Sequence, residues 1–261
     1  MAILPPGTIL QKIHFLQKIK NIRPGFFIEI GPGNGVLSRV LLEHKWRGVG
    51  VEEDTNSALA LTKKLKEYLE RGQYRVVNEN FFKINYKRKA DLVLSSMVIE
   101  HLAPKQELAF FNKSKVLLKK TGLLLCYVPG SPTNWGIEDV IAGHYRRYTM
   151  SRIRRKLISS GWMPLNVEGL TYPLSNVLLP VSNYLVNRYE SKKIKMSLKK
   201  KTLLSGRREV PLKTKFPVCL KIFLNSFALY PFHCLQTIFK THPKSLTIFF
   251  EAAPKYGPMP S

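Results

Sequence analysis

The chain has 261 residues and is strongly basic, with 42 Lys and Arg against 17 Asp and Glu and a formal net charge of +25 at pH 7. This length is enough to bury a full core in one or two domains, and the charge predicts an anionic partner: a nucleic acid, a membrane surface or an acidic substrate. Three scattered cysteines, Cys126, Cys219 and Cys234, argue against a disulfide framework and show no metal-binding spacing. We therefore expect a reducing compartment and no bound metal.

The N-terminal segment predicts a helix. Pro5, Pro6 and Gly7 stand where a secretory signal would need an apolar core, so no signal peptide is predicted. Thr8 is predicted to cap the helix. Apolar residues then recur at helical spacing, and we expect this stripe to pack on a sheet just before the first strand. The stripe consists of Ile9, Ile13, Leu16 and Ile19.

A short apolar run that ends in three alternating glycines is the most informative motif of the chain. The run covers residues 26–30, and residues 36–42 behind it favour a helix. The glycines between them are Gly31, Gly33 and Gly35. Glycines let a backbone turn sharply and approach a ligand closely. The order of strand, glycine turn and helix is typical of a nucleoside cofactor bound at the carboxyl edge of a parallel sheet.

A second apolar run, residues 48–51, ends in the acid Glu52. A carboxylate that closes the second strand can accept hydrogen bonds from both ribose hydroxyls of a nucleoside. The glycine spacing is G-x-G-x-G, which differs from the G-x-G-x-x-G of dinucleotide sites. A glycine-rich turn that binds no ligand is the structural alternative, and the position of Glu52 argues against it.

These residues, with Glu29 inside the first strand, resemble motif I of the class I S-adenosylmethionine-dependent methyltransferases. The resemblance covers about residues 26–161. The segment 91–102, a strand followed by a Glu-His pair, looks like the fourth strand and loop of the family's small-molecule, ubiquinone-biosynthesis-like branch. The resemblance implies an α/β fold with a Rossmann-like, seven-stranded, mostly parallel sheet and an antiparallel last strand.

Predicted strands and helices alternate along this region, which is typical of a mainly parallel sheet. The predicted helices cover residues 56–71, 107–120 and 150–160, and Gly72 and Gly122 are interpreted as stop signals after the first two. The remaining predicted strands cover residues 74–77, 91–96, 123–128, 165–170 and 245–251.

The family resemblance implies that S-adenosylmethionine is the cofactor and that the ends of the first four strands hold it. Members often carry an acid after the third strand that binds the adenine amino group. Asn80 stands there in this chain, and its amide oxygen also accepts a hydrogen bond. The implied cofactor residues are Glu29, Gly31, Gly33, Gly35, Glu52, Asn80, Phe81 and Ser96.

Two histidines are candidates for a catalytic base. Methyl transfer depends mainly on alignment of the nucleophile, the methyl carbon and sulfur, and transfer to oxygen also needs a base unless the acceptor is already ionised. His101 and His144 are expected on loops beside the acceptor, although His101 has an alternative role in holding its loop. No paired carboxylate is predicted to orient either ring. Glu138 and Asp139 are adjacent and would face opposite ways in a strand, so they are a weak candidate for a paired acid/base site.

The loop that contains His144 is rich in aromatic and basic residues. Tyr145, Arg146, Arg147 and Tyr148 are predicted to bind an anionic acceptor. The alternative is the solvated, basic start of a helix.

Roughly 75 residues separate the last two predicted strands, where the family has a short turn. A connection of that length inside a compact domain is usually functional. The predicted organisation is a methyltransferase domain, residues 1–170 plus 245–261, and a mainly helical insertion, residues 171–244.

Charge is unevenly distributed over this insertion. Residues 169–187 and 222–239 carry no charge, whereas residues 188–221 carry 12 Lys and Arg against two acids, a local net charge of +10. Prolines and polar residues interrupt both uncharged stretches, so neither is predicted to span a membrane. Two interpretations remain: the insertion docks on an anionic membrane surface, or it is a helical lid with a solvated basic loop.

The sequence therefore predicts a methyltransferase that acts on a small-molecule or lipid-linked acceptor, apolar in part, with O-methylation favoured. The predicted location is the cytoplasm, with peripheral attachment at the inner membrane face. An alternative acceptor is RNA, because residues 29–33 and 80–82 also resemble the ribosomal RNA adenine dimethyltransferases and the charge suits RNA.

The RNA alternative lacks one motif. The dimethyltransferases carry an Asn-x-Pro-Tyr type sequence after strand four, whereas residues 95–98 of this chain are Ser-Ser-Met-Val. Charge alone specifies no base, so RNA is not expected as the acceptor. A binding module without catalysis is a third alternative, and the intact glycines and Glu52 argue against it.

Overall fold

The computed structural model describes residues 3–206 and 208–255. The chain divides into two compact units. One, which we call the sheet unit, comprises Ile22–Val128, Met150–Val167 and Phe249–Ser261. The other, the insertion unit, comprises Met1–Asn21, Pro129–Thr149 and Glu168–Ile248. The predicted insertion, residues 171–244, thus shares its unit with the N-terminal helix and with the segment that follows the fifth strand.

Seven strands form one sheet. They are β1 (Phe26–Ile30), β2 (Arg47–Val51), β3 (Tyr74–Val77), β4 (Ala90–Ser96), β5 (Leu118–Pro129), β6 (Trp162–Leu170) and β7 (Thr247–Pro254). The strand order is β3-β2-β1-β4-β5-β7-β6. The first five strands pair in parallel and the last strands are antiparallel, which confirms the predicted fold class. Every residue of β1 is buried, as expected for a parallel strand covered on both faces.

Ten helices accompany the sheet among the described residues. They are α1 (Pro6–Ile19), α2 (Val36–Glu43), α3 (Thr55–Lys64), α4 (Lys66–Glu70), α5 (Pro104–Leu117), α6 (Ile137–Ala142), α7 (Met150–Ser159), α8 (Leu174–Glu190), α9 (Leu198–Ser205) and α10 (Tyr230–Ile238). Because parallel strands end at the same edge of a sheet, the segments that follow β1, β2, β3 and β4 meet at its carboxyl edge.

The first helix begins earlier than predicted. Pro5 occupies the N-cap position and Pro6 the first helical position, where a fixed φ is favourable and the missing N–H costs nothing. Thr8 therefore lies inside the first turn, and its prediction as the cap was wrong. Within the insertion unit α1 packs against α8 and α10, and Gln11 Nε2 of this helix donates a 3.1 Å hydrogen bond to Thr247 Oγ1 of β7.

The helix predicted over residues 56–71 is two helices. Leu65 leaves the helical region between α3 and α4, and its buried side chain lies against the glycine turn, where a Cβ at Gly35 would meet it at 3.3 Å. Packing against that turn therefore overrides the local helical preference.

The predicted boundary between the helix over residues 107–120 and the strand over residues 123–128 was also wrong. The helix ends at Leu117 and the strand begins at Leu118, which pairs with Ala90 of β4. Gly122 is not a helix stop: it lies inside β5, where a Cβ would come within 2.9 Å of the Ala90 carbonyl oxygen. Residues 118–120, which local signals assigned to the helix, therefore belong to the strand that pairs with β4.

The two ends of the insertion are hydrogen-bonded to each other, and we call this region the neck. Gly169 N donates to Lys240 O over 2.6 Å, and Thr171 N donates to Gln236 Oε1 over 2.8 Å. Asn176 Nδ2 donates to the carbonyl of Lys244 over 2.9 Å. Between these contacts the chain forms α8, α9 and α10, and no helix among residues 3–206 and 208–255 is long and apolar enough to cross a bilayer.

Candidate functional site

The three predicted glycines form the turn between β1 and α2, and all three have positive φ angles, +64° at Gly31, +50° at Gly33 and +73° at Gly35. Two of them are required by packing. A Cβ at Gly31 would lie 2.6 Å from Val98 Cγ2, and one at Gly35 would lie 2.5 Å from Leu61 Cδ1. At Gly33 no atom lies within 4 Å of the Cβ position. The backbone of Gly33 therefore faces open space, as a ligand cradle requires.

Glu52 lies directly after β2 and is tied to this turn. Its Oε2 accepts a hydrogen bond from Gly33 N over 3.2 Å, and its Oε1 accepts one from Asp54 N over 3.2 Å. Burial raises the pKa of the Glu52 carboxyl. A carboxylate has about four acceptor positions, so Glu52 keeps the capacity to accept the two hydroxyls of a ribose next to Gly33.

Glu29 takes a different position from the other predicted cofactor residues. Its buried carboxyl accepts a hydrogen bond from Ser38 of α2, and Ser38 Oγ lies 2.8 Å from the Tyr74 hydroxyl of β3. Burial raises the pKa of Glu29 to about 7. Glu29 therefore supports the glycine turn from within the sheet unit by joining β1 to α2.

The remaining predicted cofactor residues also follow β3 and β4 at the carboxyl edge. Asn80 Oδ1 accepts a hydrogen bond from Phe82 N over 2.8 Å, so one of its two lone pairs is engaged and one remains for an amino group. Phe81 is buried, with its ring 5.5 Å from that of Phe110. Ser96 is half-buried at the end of β4. Seven of the eight predicted residues, all except Glu29, thus line one edge of the sheet.

The second cluster lies in the insertion unit, around His144. Its Nδ1 lies 2.8 Å from Oδ1 of Asp139, which is completely buried. Both Asp139 oxygens accept from Arg147 Nε at 2.9 Å, and Oδ2 accepts from Gly136 N at 2.9 Å. The prediction that no carboxylate orients His144 was wrong, and Asp139 is a site residue that the sequence interpretation missed.

The sequence matches a known protein family over most of its length. Residues 6–165, more than half of the chain, match the family model described as a methyltransferase domain.

The chain belongs to the S-adenosylmethionine-dependent methyltransferases.

Similar solved structures share the fold at low identity. The methyltransferase is 18% identical to Haemonchus contortus phosphoethanolamine N-methyltransferase 2, crystallised with S-adenosylmethionine, over 94% of this chain and 52% of that one, with a TM-score of 0.59. It is 12% identical to the glycopeptide N-methyltransferase MtfA over 94% of this chain and 90% of that one, with a TM-score of 0.54. It is 10% identical to a Clostridium acetobutylicum S-adenosylmethionine-dependent methyltransferase over 95% of this chain and 92% of that one, with a TM-score of 0.55. No curated protein matches the sequence.

We call the carboxyl edge of the sheet, with the glycine turn and Glu52, the cofactor edge. Its residues are compatible with S-adenosylmethionine. Open space in front of Gly33 admits the ligand, and the Glu52 carboxylate beside it is the group that a ribose diol needs. A side chain at position 33 would enter this open space, because no atom lies within 4 Å of the Cβ position.

The raised pKa of Glu29 predicts a pH-dependent stability. The unfolded carboxyl ionises near pH 4.5, whereas the folded one holds its proton to about pH 7. Between these values the folded state binds more protons, so the free energy of unfolding falls as pH rises. Glutamine does not ionise, so the free energy of unfolding of Glu29→Gln should not show this fall. Relative to wild type it should rise by on the order of 3 kcal/mol between pH 4.5 and pH 8.

Urea unfolding of both proteins at the two pH values measures this difference. Glu53→Gln, which changes an exposed carboxyl next to the cofactor edge, is the control and should follow the wild type. Parallel pH profiles for wild type and Glu29→Gln would contradict the assignment.

The Asp139 carboxyl is ionised in the folded methyltransferase. Burial opposes ionisation, but hydrogen bonds from His144, Arg147 and the Gly136 amide, with the charge of Arg147, outweigh it and lower the pKa of Asp139. An ionised Asp139 on Nδ1–H places the imidazole lone pair of His144 on Nε2. This arrangement gives the histidine a defined tautomer and a fixed orientation.

The neighbouring acid, Glu138, has other partners. Glu138 accepts hydrogen bonds from Ser182 of α8 and forms an ion pair with Lys213. Burial opposes ionisation of Glu138, but the charge and hydrogen bond of Lys213 lower its pKa. Glu138 and Asp139 thus contact different groups, although they lie in a helix and not in the strand for which opposite directions were predicted. Glu138 joins α6 to the insertion.

The four predicted acceptor residues after His144 divide into two kinds. Arg147 and Tyr148 are buried: Arg147 donates to Asp139 and, through Nη1 over 3.2 Å, to the Gly130 carbonyl. Tyr145 is exposed, and the Arg146 guanidinium lies 5.6 Å from its ring centroid. The second predicted histidine, His101, ends a 3₁₀ turn in the sheet unit, three residues after Val98, which packs on Gly31.

Proposed function

We propose that the methyltransferase transfers a methyl group to oxygen on a small-molecule or lipid-linked acceptor that is apolar in part. The observation that carries this proposal is the His144–Asp139 pair. A buried, ionised carboxylate behind an imidazole is a device for accepting a proton, and a hydroxyl acceptor must lose a proton on methylation.

When bound, S-adenosylmethionine supplies a methyl carbon that its sulfonium activates. In the proposed reaction His144 Nε2 accepts the proton that the acceptor hydroxyl loses, and Asp139 stabilises the resulting imidazolium. Arg147 and Gly136 hold the Asp139 carboxylate in place. Tyr145 and Arg146 are the side chains that we assign to an anionic group on the acceptor, and His101 is the alternative base.

For the cofactor we propose contacts from Gly31, Gly33 and Gly35, from the Glu52 carboxylate to the ribose, and from Asn80 and Phe81 to the adenine, with Ser96 at the end of β4. Glu29 acts in this proposal through the glycine turn, because its carboxyl contacts Ser38. We further propose a cytoplasmic location with peripheral attachment at the inner membrane face.

Incubation with radiolabelled S-adenosylmethionine tests the acceptor class. Purified enzyme should label a component of an organic extract of host membranes and leave ribosomal RNA unlabelled. Mass spectrometry of the labelled product should show a methyl ether or ester. Label in RNA and none in the extract would favour the RNA alternative, for which the net charge of +25 speaks. An N-methylated product would remove the need for His144 as the base.

A further inference from the structure

Exposed apolar side chains are concentrated in one short part of the insertion. Between residues 218 and 227 four large side chains are mostly exposed: Val218 by 81%, Ile222 by 74%, Phe223 by 66% and Phe227 by 91%. Single exposed apolar residues are ordinary on protein surfaces, but a cluster of this kind marks an interaction site. We call Val218–Phe227 the docking segment.

The docking segment has a defined backbone. Val218–Ile222 forms a 3₁₀ turn, and the Asn225 side chain closes the turn that follows. Its Nδ2 donates to the carbonyls of Lys221 and Ile222 over 3.1 and 2.6 Å, and its Oδ1 accepts from the amide of Phe227 over 3.0 Å. The backbone groups are therefore satisfied locally while the two phenylalanines point outward.

The charge around the docking segment is of one sign. Between Glu209 and Glu251 the sequence contains no Asp or Glu, and Lys221 lies exposed inside the docking segment. Further exposed lysines of the insertion are Lys192, Lys195, Lys200, Lys240 and Lys244. Apolar side chains flanked by lysines without acids are complementary to an interface that is apolar inside and anionic at its surface.

The other uncharged stretch, residues 169–187, also exposes apolar side chains. Helix α8 exposes Val177, Val181 and Tyr184, which share one face because they are four and three residues apart. No Asp or Glu occurs between Glu168 and Glu190. Both uncharged stretches of the insertion thus present apolar side chains to solvent.

We propose that the docking segment inserts Ile222, Phe223 and Phe227 into the headgroup region of a membrane that contains anionic lipids, while Lys221 and the other exposed lysines bind the headgroups. Insertion is shallow, because the segment is a turn and the described helices do not span a bilayer. This inference specifies the peripheral attachment proposed above, and its test requires neither catalysis nor knowledge of the acceptor.

Two native cysteines allow a direct measurement. Cys219 is exposed within the docking segment, Cys234 is exposed outside it, and Cys126 is buried. In a Cys234→Ser background, an environment-sensitive fluorophore on Cys219 should shift to shorter wavelength when vesicles of phosphatidylglycerol and phosphatidylcholine are added. A lipid-borne quencher should then reduce its emission, whereas pure phosphatidylcholine vesicles should have little effect.

Sedimentation with the same anionic vesicles measures the contribution of the apolar side chains. Phe223→Ser and Phe227→Ser should each lower the partition coefficient by about tenfold or more, because each removes a large apolar surface that insertion would take out of water. Leu59→Ser and Val116→Ser, which change side chains of the sheet unit that are both 64% exposed, are matched controls and should bind like wild type. Added salt should weaken binding, since the headgroup contacts are screened.

Three outcomes would overturn the proposal. Binding to anionic vesicles that is unchanged in Phe223→Ser and Phe227→Ser would show attraction between charges without insertion. Equal binding to neutral vesicles would remove the role of the lysines. Dimers of the wild type in lipid-free buffer that become monomers in the phenylalanine variants would show that a second copy of the chain covers the docking segment.

Discussion

His144→Ala is expected to lower kcat by about 10²–10⁴ with the affinity for S-adenosylmethionine unchanged, which is the range for loss of a general base. Asp139 lies 2.8 Å from His144 Nδ1 and directs the lone pair to Nε2, so the truncation removes both the proton acceptor and its orientation. Steady-state kinetics and calorimetry of cofactor binding measure the two quantities.

Two companion variants distinguish the roles within this cluster. Asp139→Asn keeps the shape of the side chain but loses the charge, so it should lower kcat and leave cofactor binding intact. His101→Ala should retain most of the activity. Normal turnover by His144→Ala would contradict the proposal and leave alignment of the reactants, or His101, as the explanation of catalysis.

Gly33→Val is expected to abolish measurable binding of S-adenosylmethionine. The valine would place its side chain in the open space in front of the glycine turn, beside the Glu52 carboxylate, where the ligand must approach. Calorimetric titration measures the loss, and circular dichroism checks that the variant is folded. Activity should fall with binding, because methyl transfer requires the bound cofactor.

The chain offers a matched control for this substitution. Gly72 also has a positive φ, +64°, and no atom lies within 4 Å of its Cβ position. Gly72→Val therefore introduces a similar backbone strain in the turn between α4 and β3, away from the carboxyl edge. It should lose stability like Gly33→Val but bind the cofactor normally. Equal loss of binding in both variants would trace the effect to strain and contradict the assignment.

The glycine turn and the strand ends were predictable because their signals are local. The glycines, Glu52 and the strand ends occupy a short stretch of sequence, and the parallel arrangement brings them together. The end of α5 was not predictable in the same way, because Leu118 joins the sheet by pairing with Ala90, 28 residues earlier. Leu65 likewise leaves the helix to pack on the glycine turn.

The His144 cluster shows a different limit. Asp139 and His144 are five residues apart, a separation that brings side chains together neither in an ideal strand nor in an ideal helix. They meet because α6 ends at Ala142, and its C-cap residue Gly143 has a φ of +78°, which turns the chain back so that His144 N donates to the Asp139 carbonyl over 2.9 Å. The available signal was the glycine directly before the histidine. It could be interpreted as a helix C-cap only if the six-residue helix α6 was recognised first.

The neck closes the insertion into a loop whose two ends are held together. Because Gly169, Thr171 and Asn176 are hydrogen-bonded to residues 240, 236 and 244, the chain returns to β7 close to the point where it left β6. The entropy of closing such a loop grows only slowly with its length. Insertions or deletions beyond the neck should therefore cost little free energy, because the neck continues to hold the two ends of the insertion together.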